Sequence, residues 1–128
     1  MEPTFLTVEE LLEIHADQVT RYGGSPGLRD EGLLRSAAAM PSSTFGGEFL
    51  HADLAEMAAA YLFHIVANHP FIDGNKRTGA AAAIVFLEMN DSELMATEGD
   101  YEALVLAVAK DEADKTRIAE FFRRYIKG

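Results

Sequence analysis

The chain contains no cysteine among its 128 residues. Disulfides and thiolate metal sites are thereby excluded. Long apolar runs are also missing: the longest, Gly79 to Leu87, falls far short of the ~20 residues that span a bilayer. It is rich in alanine and reads as a tightly packed core helix. The first residues, Met1 to Leu6, have neither a basic stretch nor an apolar one, so no secretory leader is expected. Neither end carries a lipidation signature. These absences predict a cytoplasmic protein without membrane attachment. Positive charge is scarce too. Against 21 Asp and Glu stand 11 Lys and Arg, a net charge of -10. Such a field repels phosphate backbones and argues against direct binding of DNA or RNA. No stretch alternates with period two for long enough to make a substantial strand, and no internal repeat or low-complexity tract is present.

What is present is helical patterning. Apolar residues make up 48% of the chain and charged ones 25%, which predicts a single domain over residues 1–128 with one core. Thr7 to Glu10 has the form of a capping box. Val8, Leu11, Leu12, His15, Val19 and Tyr22 follow at helical spacing as one buried stripe. Gly23-Gly24-Ser25-Pro26-Gly27 ends that helix in a loop. Asp30 caps a short second helix through Leu33, Leu34 and Ala37, which Pro41 stops. Residues 41–52 read as a loop with Gly46-Gly47 at its tip and Phe45, Phe49 and Leu50 pinning it to the body; it leaves room for a short β-hairpin. Asp53 to Glu56 repeats the capping logic and opens an apolar helix to Asn68, which Pro70 keeps from continuing. Asn75 serves as N-cap of the next helix, which is apolar nearly all round and therefore central. Asn90-Asp91-Ser92 breaks it. Two further helices are expected over residues 100–110 and 115–127, with Arg123, Arg124 and Lys127 complementing the dipole of the last one.

The joint between the two apolar helices carries the chemistry. It reads His69-Pro70-Phe71-Ile72-Asp73-Gly74-Asn75-Lys76-Arg77. A helix starting at Asn75 presents free amide hydrogens and the positive end of its dipole to whatever lies outside the turn. Lys76 and Arg77 add full positive charge there, and Gly74 lets a phosphate come close to the backbone. Asp73 is a hard oxygen ligand of the kind Mg²⁺ prefers beside phosphates. His69 is a titratable base placed to take a proton from an incoming hydroxyl. Phe71 turns inward as an anchor. Each residue alone is an ordinary feature of a joint between helices. Together, with paired basic residues at the start of a buried helix, they point to phosphoryl or nucleotidyl transfer. A Walker P-loop is excluded, since no strand precedes the segment and its glycine–lysine pattern is absent.

This string resembles the signature of the Fic/Doc family, and specifically its Doc (death-on-curing) branch. Phe5-Leu6-Thr7, Gly23-Gly24, Gly27-Leu28-Arg29-Asp30, Leu33-Leu34 and Ser36-Ala37 also look like Doc-type sequence, so the likeness runs over nearly the whole chain. The resemblance implies an all-α fold, a compact bundle of some six helices with the signature between two central ones. It implies His69 as the base that activates a target hydroxyl and Asp73 as the holder of Mg²⁺. Gly74, Asn75, Lys76 and Arg77 would then cradle the phosphates of ATP. Fic proteins that transfer AMP usually read His-Pro-Phe-x-Asp/Glu-Gly-Asn-Gly-Arg, with a second arginine three residues on. Here Lys76 replaces the second glycine and Ala80 replaces that arginine. Doc-type proteins share the lysine and are associated with transfer of the γ-phosphate to a threonine of elongation factor Tu. The resemblance therefore favours a toxin with protein kinase activity over an adenylyltransferase, with a catalytically idle binding module as the remaining alternative. The nearest match to the inhibitory Ser/Thr-x-x-x-Glu-Gly/Asn motif, Thr44 to Phe49, ends wrongly, and its partner arginine is missing. Inhibition in trans by a small antitoxin, whose helical tail orders on binding, is implied instead.

The other histidines read as structural. His64 lies five residues before His69, a poor spacing for paired ligands on one helix face, and is placed near the core edge. His15 falls on the buried stripe with a hydrogen-bond partner. His51 is a loop residue without an evident partner. Arg29-Asp30 could add to a target surface, although the cap already accounts for Asp30.

Overall fold

The computed structural model describes residues 2–128. Among them are six α-helices: α1 (Val8–Tyr22), α2 (Glu31–Ala39), α3 (Leu54–Asn68), α4 (Asn75–Met89), α5 (Glu98–Ala109) and α6 (Lys115–Tyr125). Their starts follow from local chemistry. Thr7 Oγ1 accepts the Glu10 amide at 3.1 Å and the Glu10 carboxylate accepts the Thr7 amide at 2.9 Å, a complete capping box. Asp30, Asp53, Thr97 and Asp114 each accept an amide three residues on, from Leu33, Glu56, Asp100 and Arg117. The end of α2 is softer than Pro41 alone requires. The helix relaxes at Ala39 into a 3-10 turn over Met40–Ser42 that contains the proline.

The hairpin for which the sequence left room is present. Strands β1 (Thr44–Phe45) and β2 (Glu48–Phe49) pair antiparallel, Thr44 opposite Phe49. Only part of its expected anchoring is real. Phe49 packs on Phe5 with ring centroids 5.6 Å apart, while Phe45 is 81% exposed and Leu50 56%. A two-residue strand gives Phe45 no second layer to pack under. A second antiparallel pair, β3 (Glu93–Leu94) with β4 (Ile126–Lys127), follows α4 and α6.

The central helix is α3, not α4 as its composition implied. It packs against α2, α4, α5 and α6, and Met57 to Leu62 is a continuous buried run. By contrast α4 leaves Ala80, Ala81, Ile84 and Val85 only half-buried, because its small residues serve close approach to α3. At Gly79 an added Cβ would lie 3.1 Å from Val66 Cγ2 and 3.3 Å from the Leu62 carbonyl oxygen. The two backbones come together there because no side chain intervenes. The N-terminal segment closes the core: the Leu6 amide donates to Tyr61 Oη at 2.8 Å, and burial pushes that phenol up to about 12.

The last helix is shorter than expected, and its charges act otherwise. Arg123 and Arg124 do lie in the last turn of α6. Arg123, however, reaches sideways to Asp53 at 3.0 Å and Glu56 at 3.3 Å, and Arg124 lies over the Tyr125 ring. Lys127 sits in β4 opposite Glu93. For Arg123, carboxylates across the packing interface are a closer partner than the helix end.

Candidate active site

Between α3 and α4 the chain turns within six residues, and its first residue is strained. His69 has φ 48°, in the left-handed region, where a non-glycine residue costs on the order of 1 kcal/mol or more. The residue before a proline is normally driven to extended backbone, so this conformation must be imposed from outside. Arg29 imposes it. Its Nε donates to the His69 carbonyl at 2.6 Å and its second guanidinium nitrogen to the Asn68 carbonyl at 2.8 Å. These are orphan acceptors at the end of α3. The neighbouring backbone helps: the amides of Arg29 and Asp30 both donate to Pro70 O, and the Ile72 amide donates to Gly27 O.

The turn is pinned from inside as well. Phe71 is 1% exposed, as its anchoring role required. Asn75 does not cap α4 with its side chain. The cap is Gly74, at φ 80°, and it offers no side-chain bond. Asn75 is buried and turns back across the loop, where Oδ1 accepts the Phe71 amide at 2.9 Å and Nδ2 donates to Phe71 O at 3.0 Å. The same Nδ2 lies 3.4 Å from His69 Nδ1, at the long limit of a hydrogen bond, so the ring is steered more than fixed. The preference for Asn at helix starts misled because it counts only neighbouring amides; here a closed loop competes for the amide group and wins. With no side chain accepting from the first turn, the amides of Asn75, Lys76 and Arg77 are left for an outside anion.

Asp73 faces the loop after α1. Its Oδ2 accepts the Ser25 amide at 3.2 Å and its Oδ1 the Gly74 amide at 2.8 Å. A Cβ at Gly24 would come 2.8 Å from Oδ2, so that glycine lets the carboxylate in. His69 and Lys76 are exposed, and Lys76 forms no ion pair among the described residues. Arg77 is drawn toward the end of α1, donating to Tyr22 O at 3.3 Å with its guanidinium 5.0 Å from the Tyr22 ring centroid. A cavity of about 850 Å³ opens here. His69, Asp73, Gly74, Asn75, Lys76 and Arg77 all line it, so every residue singled out in sequence converges on one space. Its opposite wall is α5, which contributes Glu98, Tyr101, Glu102, Val105 and Leu106. Tyr101 Oη donates to Ala80 O at 2.7 Å and ties that wall to α4. Nothing in the α5 sequence marks it as a cavity wall; only the folding back of the chain does.

The signature matches a known family over a wide span. The family model described as Fic/DOC family matches residues 5–87. The chain belongs to the Fic/Doc family. Among curated proteins it is 30% identical over 119 residues, 93% of each chain, to "Protein kinase doc" of Escherichia phage P1. It is 44% identical over 75 residues to "Toxin Doc" of Mycolicibacterium smegmatis, covering 59% of this chain and 58% of that one. Both carry Doc names, which places the chain on the Doc branch of the family.

The resemblance implies a nucleotide and Mg²⁺, and the donor set can be tested against them. No group of three or more His, Cys, Asp or Glu converges on a metal position among the described residues. Asp73 accepts from two amide donors, and about two of its four lone-pair sites remain free. Such a carboxylate would suit a Mg²⁺ that arrives with phosphates better than a metal caged by protein. Sequence reasoning missed Ser25 and the α5 wall, and gave Arg29 a place on a target surface and not its role at the end of α3. The likeness of Gly23-Gly24 and Gly27 to Asp30 to Doc-type sequence was the one signal that the α1–α2 loop belongs to the site.

Proposed function

We propose that this chain is the toxin of a toxin–antitoxin pair and transfers the γ-phosphate of Mg-ATP to a serine or threonine hydroxyl of a translation factor, elongation factor Tu by resemblance. The observation that carries this reading is the charge at the mouth of α4. Lys76 is exposed and unpaired on the cavity wall, while Ala80, one turn further along the same wall, offers no cation. Positive charge is concentrated at the helix start, with none placed to hold a phosphate further along. Mg-ATP would supply the phosphoryl group there, and Asp73 would hold the metal that screens its charge. The α4 amides and Lys76 stabilise the anionic oxygens. His69 takes the proton of the acceptor hydroxyl at an imidazole nitrogen as the new O–P bond forms and the bond from the γ-phosphorus to the β–γ bridging oxygen breaks, with ADP as the leaving group. Asn75 holds the loop that aims His69, and Arg77 braces α1 while lining the cavity.

Control in trans fits the same geometry. Thr44 to Phe49 forms the exposed β1–β2 hairpin, whose Glu48 has no arginine at position 80 to meet. A separate antitoxin would therefore supply inhibition. Two features of the names support the reading: one Doc relative is called a protein kinase and the other a toxin. The test is transfer from γ-labelled ATP to purified elongation factor Tu, with Mg²⁺ present or chelated. Label on a serine or threonine only with Mg²⁺ is expected; no transfer, or growth arrest undiminished by His69→Ala, would overturn the reading.

A further inference from the structure

We propose that His15, in α1 and far from the signature in sequence, is a positioning residue that locks the Asp73–Gly74 peptide so that its carbonyl faces away from the anion site. His15 Nε2 lies 2.8 Å from Asp73 O. A carbonyl oxygen only accepts, so Nε2 carries the proton and donates. The ring is 5% exposed and lies flat on Phe71, with centroids 3.8 Å apart and planes 3° from parallel. His15 does not line the cavity. The Asp73 carbonyl is therefore directed into the protein, away from the space where the amides of α4 point.

The need for such a lock follows from Gly74. Glycine populates both signs of φ with similar ease, and a peptide preceding it can rotate between the two orientations that distinguish common turn types. One orientation leaves only N–H groups around the helix start, a concavity that binds anions. The other turns the Asp73 carbonyl oxygen, a partial negative charge, toward the same space and spoils it. The rotation would also withdraw the Gly74 amide from Asp73 Oδ1, leaving the carboxylate held by the Ser25 amide alone. One donor at one carbonyl thus sets both the polarity of the cradle and the aim of Asp73. No atom of His15 needs to touch substrate.

This inference rests on the nucleotide-binding reading above, and its test is chosen to fail separately. Calorimetry gives the Kd for Mg-ATP of the whole chain without any transfer step. His15→Phe keeps the stack on Phe71 and removes the donor; it should fold with a melting temperature near that of the parent and bind Mg-ATP about tenfold more weakly. His15→Gln restores an N–H at similar reach and should recover most of the affinity. If the Phe variant does not fold, His15→Met against His15→Gln gives the same contrast between side chains of matched length. Equal affinity of parent and Phe variant would overturn the proposal, as would equal weakening of the Gln and Met variants. A parent that binds Mg-ATP but transfers AMP would sink the kinase reading and leave the His15 contrast still measurable.

Discussion

Among the described residues two polar clusters are built on opposite plans. At the signature loop, side chains bond to backbone: Arg29 to the carbonyls of Asn68 and His69, Asn75 to both ends of Phe71, His15 to the Asp73 carbonyl. At the α3–α6 interface, side chains bond to each other. Lys115 Nζ lies 3.0 Å from His64 Nε2 and 3.3 Å from His51 Nε2, beside a cavity of about 330 Å³. In the first cluster the groups fit for chemistry, His69 and Lys76, stay exposed and free. In the second Lys115 is engaged by both histidines, and burial holds the rings neutral. His64 is lowered to about 4, chiefly by burial and then by Lys115 and His51, and His51 is lowered for the same leading cause. Backbone-directed bonds shape a loop around an empty space, whereas side-chain pairs tie one element to another. The first plan makes a site and the second a tether.

Removing the free base should have the largest effect. His69→Ala should reduce phosphoryl transfer at least ~100-fold while leaving the urea unfolding midpoint unchanged, since the side chain is exposed. A stability loss matching the activity loss would erase the distinction between the clusters. Arg29→Ala comes next. It removes the partner of two carbonyls without touching the reacting groups, and transfer should fall about 10–100-fold through misplacement of His69. The same substitution leaving transfer untouched would show that the loop holds its shape unaided.

These two residues also show what the sequence could disclose. His69 was legible because its signature is contiguous, and the helix starts were legible because a cap and its amide lie three residues apart. Arg29 reaches its carbonyls from 39 and 40 residues away, and Ser25 reaches Asp73 across 48; no periodicity records such pairs. His51 looked partnerless for the same reason, its partner Lys115 standing 64 residues on. Asn75 was misread because a local rule met a stronger loop closure. The centrality of α3 over α4 was hidden because alanine marks close packing without saying which of two helices lies inside.

The remaining predictions concern stability. Gly79→Ala should lower it by about 1–3 kcal/mol, read from urea unfolding, because the new methyl meets Val66 and the Leu62 backbone. Acid should loosen the α3–α6 tether. With His64 near 4 in the folded chain and near 6.5 unfolded, the unfolded state binds more protons between those values. Stability on this account is complete above about 6.5 and is lost as pH falls toward 4. His64→Phe should show a smaller fall of melting temperature over that window than the parent; parallel curves would refute the tether's charge state. Arg123→Ala should have the smallest effect, below about 1 kcal/mol, because its carboxylate partners Asp53 and Glu56 are 47% and 35% exposed.

The central claim is that Lys76 with Ala80 directs the γ-phosphate, not AMP, to the acceptor. It is tested most directly by giving the purified chain elongation factor Tu and ATP labelled distinguishably at the α and γ positions. Label from the γ position alone is the predicted result, with α label rising when Lys76→Gly and Ala80→Arg are combined. Label from the α position in the parent protein would contradict the claim outright.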